Sequence, residues 1–310
     1  MKISVVIPLY NKKDTVLRAL NSVLNQSVQP EEIIVVNDGS TDGSAQLVAK
    51  LDHALIRLVS QSNMGVSAAR NRGITEAKYE WIAFLDADDE WLPDFLKTVT
   101  GLIEEYPKCS VVATSYLLED TTGKREENRL RKLTFKGDHG IIDNYFMVAS
   151  RSSPPINSSA VAIKIEAIKS VGGFPEGVTS GEDLLTWARL ASSYSIAYST
   201  EPLSVFTQDP AHIYLSRPNR IPQIPDVVGQ NLALLTRSRG RIPGLRKYIG
   251  HWHKMRSSIY LRLGMRWESL RESIISLSYF PLNFKVILYL FLLGLPTSLI
   301  SKIFLKSVGR

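Results

Sequence analysis

The chain has 310 residues, 44% hydrophobic and 22% charged, which is enough apolar content for one large domain with an appendage. Its one cysteine, Cys109, excludes an internal disulfide and a cysteine-rich zinc site; close to Val111 and Val112, it reads as a buried structural thiol. The net charge of +7 hides an asymmetry: from Ala211 onward 16 Lys and Arg face 3 Asp and Glu, a net +13, whereas the first 210 residues carry 21 against 27, a net −6.

The apolar run Ile3 to Leu9 ends at Tyr10, and Lys12, Lys13 and Asp14 follow. It is too short for a signal peptide and no small-residue cleavage site follows it, so it is expected to be the buried first strand of a cytoplasmic protein. Val16, Leu20, Val23 and Leu24 then recur at helical spacing, with Asp14 as the expected N-cap. Ile33 to Val36 reads as a second strand, and Ser40 or Thr41 as the cap of a helix carrying Leu47, Val48 and Leu51. Leu55 to Val59 is a third strand, and Val66, Ala69, Gly73 and Ile74 mark a helix. Trp81 to Leu85 is a fourth strand, and Pro93 opens a helix with Leu96, Val99 and Ile103. This alternation predicts an α/β fold with a mostly parallel, Rossmann-like sheet flanked by helices.

Beyond about residue 120 the pattern loosens. Glu119 to Lys132 is charged and expected to be a solvent-exposed excursion. Ile156 to Ile165 reads as a strand, Gly172-Gly173-Phe174-Pro175 as a turn, and Gly181-Glu182-Asp183 as the opening of a helix with Leu184, Leu185, Ala188 and Leu190. Pro202, Pro210, Pro218, Pro222 and Pro225 interrupt the next segment, so one domain is expected over 1–210.

Ligands of such sheets bind at the carboxyl ends of strands. The polar clusters after strands one, two and four should therefore converge: Tyr10-Asn11, Asn37-Asp38-Gly39-Ser40 and Asp86-Ala87-Asp88-Asp89. Three carboxylates in four residues repel one another, and a hard divalent cation with oxygen ligands relieves that repulsion. The same run also suits a solvated acidic turn capping the next helix. Asn-Asp-Gly-Ser is likewise turn chemistry on any fold, or a carboxylate that holds a base or ribose.

Pro8-Leu9-Tyr10-Asn11, Val36-Asn37-Asp38-Gly39-Ser40-Thr41-Asp42, Asn63-Met64-Gly65-Val66-Ser67-Ala68-Ala69-Arg70-Asn71 and Asp86-Ala87-Asp88-Asp89 together resemble the ordered motifs of glycosyltransferase family 2. Gly172-Gly173-Phe174 with Gly181-Glu182-Asp183 and Trp187 resembles that family's acceptor-side motif. The resemblance runs over residues 3–190 and stops by about 210. It implies a GT-A fold and an inverting, hexosyltransferase-type enzyme. The donor would be a nucleotide diphosphate sugar, UDP-linked, with Mn²⁺ or Mg²⁺ on its diphosphate at a DXD motif. Position by position, it implies that Pro8, Tyr10 and Asn11 line the base pocket and that Asp38 contacts the uracil or ribose. Asn63 and Arg70 would hold the nucleotide and its diphosphate, with Asp86 and Ala87 beside the ribose. Asp88, helped by Asp86, would bind the metal. Asp183 would be the general base, with Glu182 next to it. A non-catalytic carbohydrate or nucleotide-sugar binder of the same fold is the alternative.

No G-x-G-x-x-G follows the first strand and no G-x-x-x-x-G-K-[ST] occurs, which argues against dinucleotide and P-loop chemistry. His251 and His253 flank Trp252 in a basic stretch and are expected to have a surface role rather than to bind metal. Residues 211–278 are read as a basic, mostly helical extension, and 279–310 as an apolar, membrane-associating segment. The 16 uncharged residues between Lys285 and Lys302 fall short of the ~20 that span a bilayer, and Pro296 interrupts them. An interfacial segment is therefore expected, on a protein peripheral to the inner face of the cell membrane. The implied acceptor is a glycan or a lipid-linked precursor. Nucleic acid is not expected as a partner, since it leaves the acidic front half unexplained.

Overall fold

The computed structural model describes residues 1–208, 218, 220–238 and 242–308, without the side chains of 238 and 305–308. Pro210, expected to break the chain, lies outside the described residues. The chain divides into two compact units, Met1–Gln208 and Asp209–Arg310.

The first unit starts with β1 (Ile3–Leu9), buried along its whole length. α1 (Val16–Leu24) buries Val16, Ala19, Leu20 and Val23, the stripe its spacing predicts. β2 (Glu32–Asp38), α2 (Ser44–Ala49), β3 (Ile56–Gln61), α3 (Val66–Glu76) and β4 (Trp81–Phe84) follow. β3-β2-β1-β4 pair in parallel, as the alternation predicts. α3 rests directly on β1. A Cβ at Gly73 would lie 2.3 Å from Val6 Cγ1, so only glycine permits this approach.

Two caps differ from expectation. Thr15, not Asp14, precedes α1, and it makes no side-chain capping bond. α2 starts at Ser44, where Asp42 Oδ1 accepts from the Ser44 amide at 2.9 Å and its hydroxyl at 2.6 Å. Ser40 and Thr41 are drawn off by Asn11, a neighbour that no local pattern reveals.

The second half of the unit contains β5 (Glu90–Trp91), α4 (Phe95–Glu105), β6 (Val111–Glu119), β7 (Arg125–Glu127), β8 (His139–Ile142), α5 (Tyr145–Ala149), β9 (Val161–Lys164), α6 (Ile165–Ser170), α7 (Glu182–Ala191) and β10 (Ile196–Thr207). Here the sheet is mixed, so the mostly parallel description holds for its first four strands. β9 runs antiparallel to both β4 and β6, and β10 runs parallel to β6 but antiparallel to β5 and β8. A fully buried strand such as β9 carries the same apolar pattern whichever way it runs; its partners decide the direction. Part of the charged 119–132 segment is strand, since β7 pairs antiparallel with β6. Cys109 is buried beside these strands, as expected.

The second unit is helical: α8 (Val227–Ser238), α9 (Leu245–Leu263), α10 (Arg266–Tyr279), α11 (Phe284–Leu292) and α12 (Thr297–Val308). α9 and α10 pack through small polar residues: Ser257 Oγ lies 2.8 Å from Ser273 Oγ, and Ser276 Oγ donates to Gly250 O at 2.7 Å. Among the described residues, no helix is long and apolar enough to cross a membrane.

Candidate active site

Four loops at the carboxyl ends of β1, β2, β3 and β4 are tied together by hydrogen bonds. Asn11, held at φ 51°, accepts from the Thr41 amide through Oδ1 at 2.8 Å, and its own amide donates to Ser40 Oγ at 3.1 Å. Asp38 is buried at the end of β2. Its Oδ1 accepts from Gln61 Nε2 at 2.8 Å and the Met64 amide at 2.9 Å, and its Oδ2 from the Gly65 amide at 2.8 Å. Three of a carboxylate's roughly four acceptor sites are thus used in clasping the loop before α3. Gly39 makes that loop's close approach possible: its φ is +74°, and a Cβ there would lie 2.9 Å from the Asn63 amide nitrogen. Asn63 is exposed and accepts from the Gly65 amide at 3.2 Å. Tyr10 is 46% exposed at the mouth of β1, while Pro8 is buried within the strand.

The acidic loop after β4 is sorted by its surroundings. Asp89 points inward. It accepts from Ser159 Oγ and, at 2.9 Å, from the Thr207 amide, and its carboxyl is pushed well above the usual range by burial and by the nearby Asp86 and Asp88 charges. Ser159 Oγ also accepts from the Asp86 amide at 3.0 Å, so one buried serine fixes both ends of the turn. Ala87 is buried between the two carboxylates that remain partly exposed, Asp86 at 24% and Asp88 at 27%. Asp88 Oδ2 lies 2.6 Å from Lys12 Nζ, and Arg18 donates to the Asp88 carbonyl.

Arg70 joins this loop to α7. It is buried, and its Nη2 donates to Asp86 Oδ1 at 2.7 Å and Oδ2 at 2.9 Å, while Nη1 lies 3.7 Å from Glu182 Oε1. Burial alone would lower its pKa; the facing carboxylates Asp86 and Glu182 outweigh that and raise it. The guanidinium sits 5.1 Å above the Phe174 ring. Asn71 holds that ring in place, accepting from the Phe174 amide and donating to its carbonyl, each at 2.9 Å. Arg70 Nε and Nη1 are buried without a hydrogen-bond partner.

Glu182 and Asp183 open α7. Burial pushes Glu182 up to about 7, with a further rise from Asp183 partly offset by Arg70. Burial raises Asp183 as well, against the pull of Arg70 and of the Leu184 amide, which donates to its Oδ1 at 2.7 Å. Two carboxyl groups with raised pKa beside a buried cation can take up and release protons. All the site residues expected from sequence lie on or beside these loops. Lys12, Ser159 and Asn71 join the site as well. Asn71 stands inside one of the family-like motifs and Lys12 directly after another, whereas Ser159, some 70 residues from Asp89, carries no local signal.

A second charged cluster lies in the other unit. His253 Nδ1 is 2.6 Å from Glu272 Oε2 and 3.9 Å from Asp226 Oδ2. Arg256 Nε lies 2.9 Å from Glu272 Oε1 and 3.3 Å from Asp226 Oδ2. The surface role expected for His253 is overturned: it is buried against α10, where Glu272 supplies a partner for its ring nitrogen. Its ligand atoms and those of Asp226 and Glu272 lie within 4.8 Å of one another, but Arg256 already supplies the positive charge there. The group borders a cavity of about 430 Å³.

The parallel β3-β2-β1-β4 half, continued by a mixed sheet and carrying an acidic loop after β4, is the GT-A arrangement. It aligns with a crystal structure of S. aureus TarS 1–349 in complex with UDP-GlcNAc at a TM-score of 0.67 and 19% identity, covering 90% of this chain and 81% of that one. Residues 4–153, just under half of the chain, match the family model for glycosyl transferase family 2, which places that segment in the family. It is 32% identical over 208 residues to an uncharacterised glycosyltransferase of Rickettsia bellii, covering 66% of this chain and 28% of that protein. It is 34% identical over 125 residues to glycosyltransferase GlyA of Streptococcus pneumoniae, covering 39% and 18%. The chain thus spans less than a third of the length of these relatives.

Proposed function

We propose that the chain is an inverting glycosyltransferase that moves a hexose from a UDP-sugar to a hydroxyl of a glycan or lipid-linked acceptor. The observation that carries this reading is Arg70: a buried cation bound to Asp86, facing Glu182, and with two donor groups that make no hydrogen bond. Buried unpaired donors are costly, and diphosphate oxygens would satisfy them. Tyr10 is exposed for stacking on the base, and Asp38 keeps one acceptor site beyond its three amide donors. Asn11, Asn63 and Ala87 shape the walls.

The donor set at the acidic loop fits a hard divalent cation. Asp88 and Asp86 offer only oxygens, and both carboxylates stay partly exposed, within reach of a cation that would displace the Lys12 ammonium. Asp88 and Asp86 would hold Mn²⁺ or Mg²⁺, which supplies charge neutralisation at the departing diphosphate. Asp183 takes the proton from the acceptor hydroxyl as that oxygen bonds to the anomeric carbon. The bond from that carbon to the diphosphate breaks in the same step, and UDP leaves with its electron pair. One displacement inverts the anomeric configuration.

On this reading residues 1–210 form the catalytic domain, 211–278 a basic helical extension and 279–310 a segment that keeps the protein at the inner face of the cell membrane. The test is turnover of a panel of UDP-sugars with Mn²⁺, with anomeric configuration read by NMR. The expected results are inversion, loss of turnover in chelator, and loss of metal-dependent UDP binding in Asp88→Asn. Undiminished activity in chelator would remove the metal from the proposal, and a retained configuration would remove the single displacement.

A further inference from the structure

α11 is apolar on nearly every side. Val286, Tyr289 and Leu292 point into the helical unit, where the last two pack with Leu261 and Ile300. The opposite face carries Phe284, Ile287, Leu288 and Phe291, and the two phenylalanines are 75% and 76% exposed. Leu282 just before it is 68% exposed. A helix with an outer face of this kind normally has that face covered. The charges that follow α10 in the sequence are of one sign. Glu272 is the last acidic residue of the chain; Lys285, Lys302, Lys306 and Arg310 follow it. Lys285 and Lys302 are both exposed.

We infer that the outer face of α11, flanked by Lys285 and Lys302, docks in the plane of an anionic lipid surface. This rests on the membrane reading above and names the element that makes contact. Nine helical residues rise only ~13 Å, against a hydrocarbon core of ~30 Å, so the helix lies in the interface rather than crossing it. A second copy docking through this same face would set the same cations against one another, whereas lipid phosphates complement them. The lysines hold the surface at long range and the phenylalanines enter the acyl boundary, two contributions that salt separates.

The experiment is co-sedimentation of the full chain with vesicles of phosphatidylcholine alone or mixed with phosphatidylglycerol, at low and moderate salt. UDP binding and thermal melting are measured on the same samples. Wild type should pellet with the mixed vesicles and stay bound at moderate salt. Phe284→Ser with Phe291→Ser, both exposed and so compatible with folding, should weaken binding roughly ten-fold or more at every salt concentration. Lys285→Gln with Lys302→Gln should weaken it about ten-fold at low salt and progressively less as salt rises. Equal binding by wild type and the phenylalanine variant overturns the inference, as does a wild type that stays in the supernatant at low salt. A dimer that the phenylalanine variant dissociates, with no vesicle binding, assigns the face to a second copy and overturns it too. UDP binding that persists without vesicle binding removes the lipid surface and leaves the transferase reading standing. Vesicle binding without UDP binding removes the transferase reading and leaves the lipid surface in place.

Discussion

Each unit holds a buried arginine between two carboxylates, and the two clusters behave differently. Around Arg256 the charges are closely paired: Nε meets Asp226 and Glu272, Nη2 donates to Gln223 O at 3.1 Å, and the Trp252 indole donates to Asp226 at 3.1–3.2 Å. Burial would raise Glu272, but hydrogen bonds from His253 and Arg256 outweigh it and hold its pKa below the usual value. Around Arg70 two donors make no hydrogen bond, and Glu182 and Asp183 are raised. A saturated network stabilises a fold; an unsaturated one with displaced carboxyl groups is poised for a ligand.

The largest expected effect sharpens that contrast from its structural side. Arg256→Met leaves Asp226 and Glu272 buried together and should cost about 3–5 kcal/mol, read as an earlier melting transition, while UDP binding in the other unit is kept. Loss of UDP binding with unchanged melting would reverse the assignment of the two clusters. Next comes Glu182→Gln, tested on protein free of metal and donor. Glu182 is raised from 4.5 to about 7, so its contribution to stability is fully present below pH 4.5 and is lost as pH rises through about 7. The variant should therefore be more stable than wild type at pH 8, by at most about 3 kcal/mol, and equal to it below pH 4.5. A pH-independent difference in melting temperature would show that Glu182 is not displaced.

Asp183→Asn should keep donor affinity near wild type while transfer falls at least ~10²-fold, about 2.7 kcal/mol in barrier. Parallel loss of donor affinity by calorimetry would make Asp183 a donor-site residue. The smallest effect concerns Lys12. Its partly exposed pair with Asp88 contributes at most about 1 kcal/mol, so Lys12→Met should barely move the melting temperature. It should tighten Mn²⁺ binding in the absence of donor, measured by electron paramagnetic resonance. Unchanged or weaker Mn²⁺ binding would mean that the ammonium does not compete for that carboxylate.

Periodicity and punctuation determine much of this protein on their own. The buried runs of β1, β2 and β4, the stripes of α1 and α4, and the acidic run straight after a strand are local patterns. The parallel half of the sheet and the position of its loops follow from them. The shortness of the C-terminal apolar stretch, interrupted by Pro296, is local as well; its division into α11 and α12 is seen in the structure. Other features depend on residues far apart in the chain. The direction of β9 depends on β4 and β6. The inward turn of Asp89, unlike its neighbours Asp86 and Asp88, depends on Ser159 and Thr207. The loss of Ser40 and Thr41 as helix caps depends on Asn11, and the burial of His253 on Glu272. In each case one side chain has several partners in reach, and the choice is made by desolvation and hydrogen bonding in the packed state. Those energies exist only once distant segments have come together.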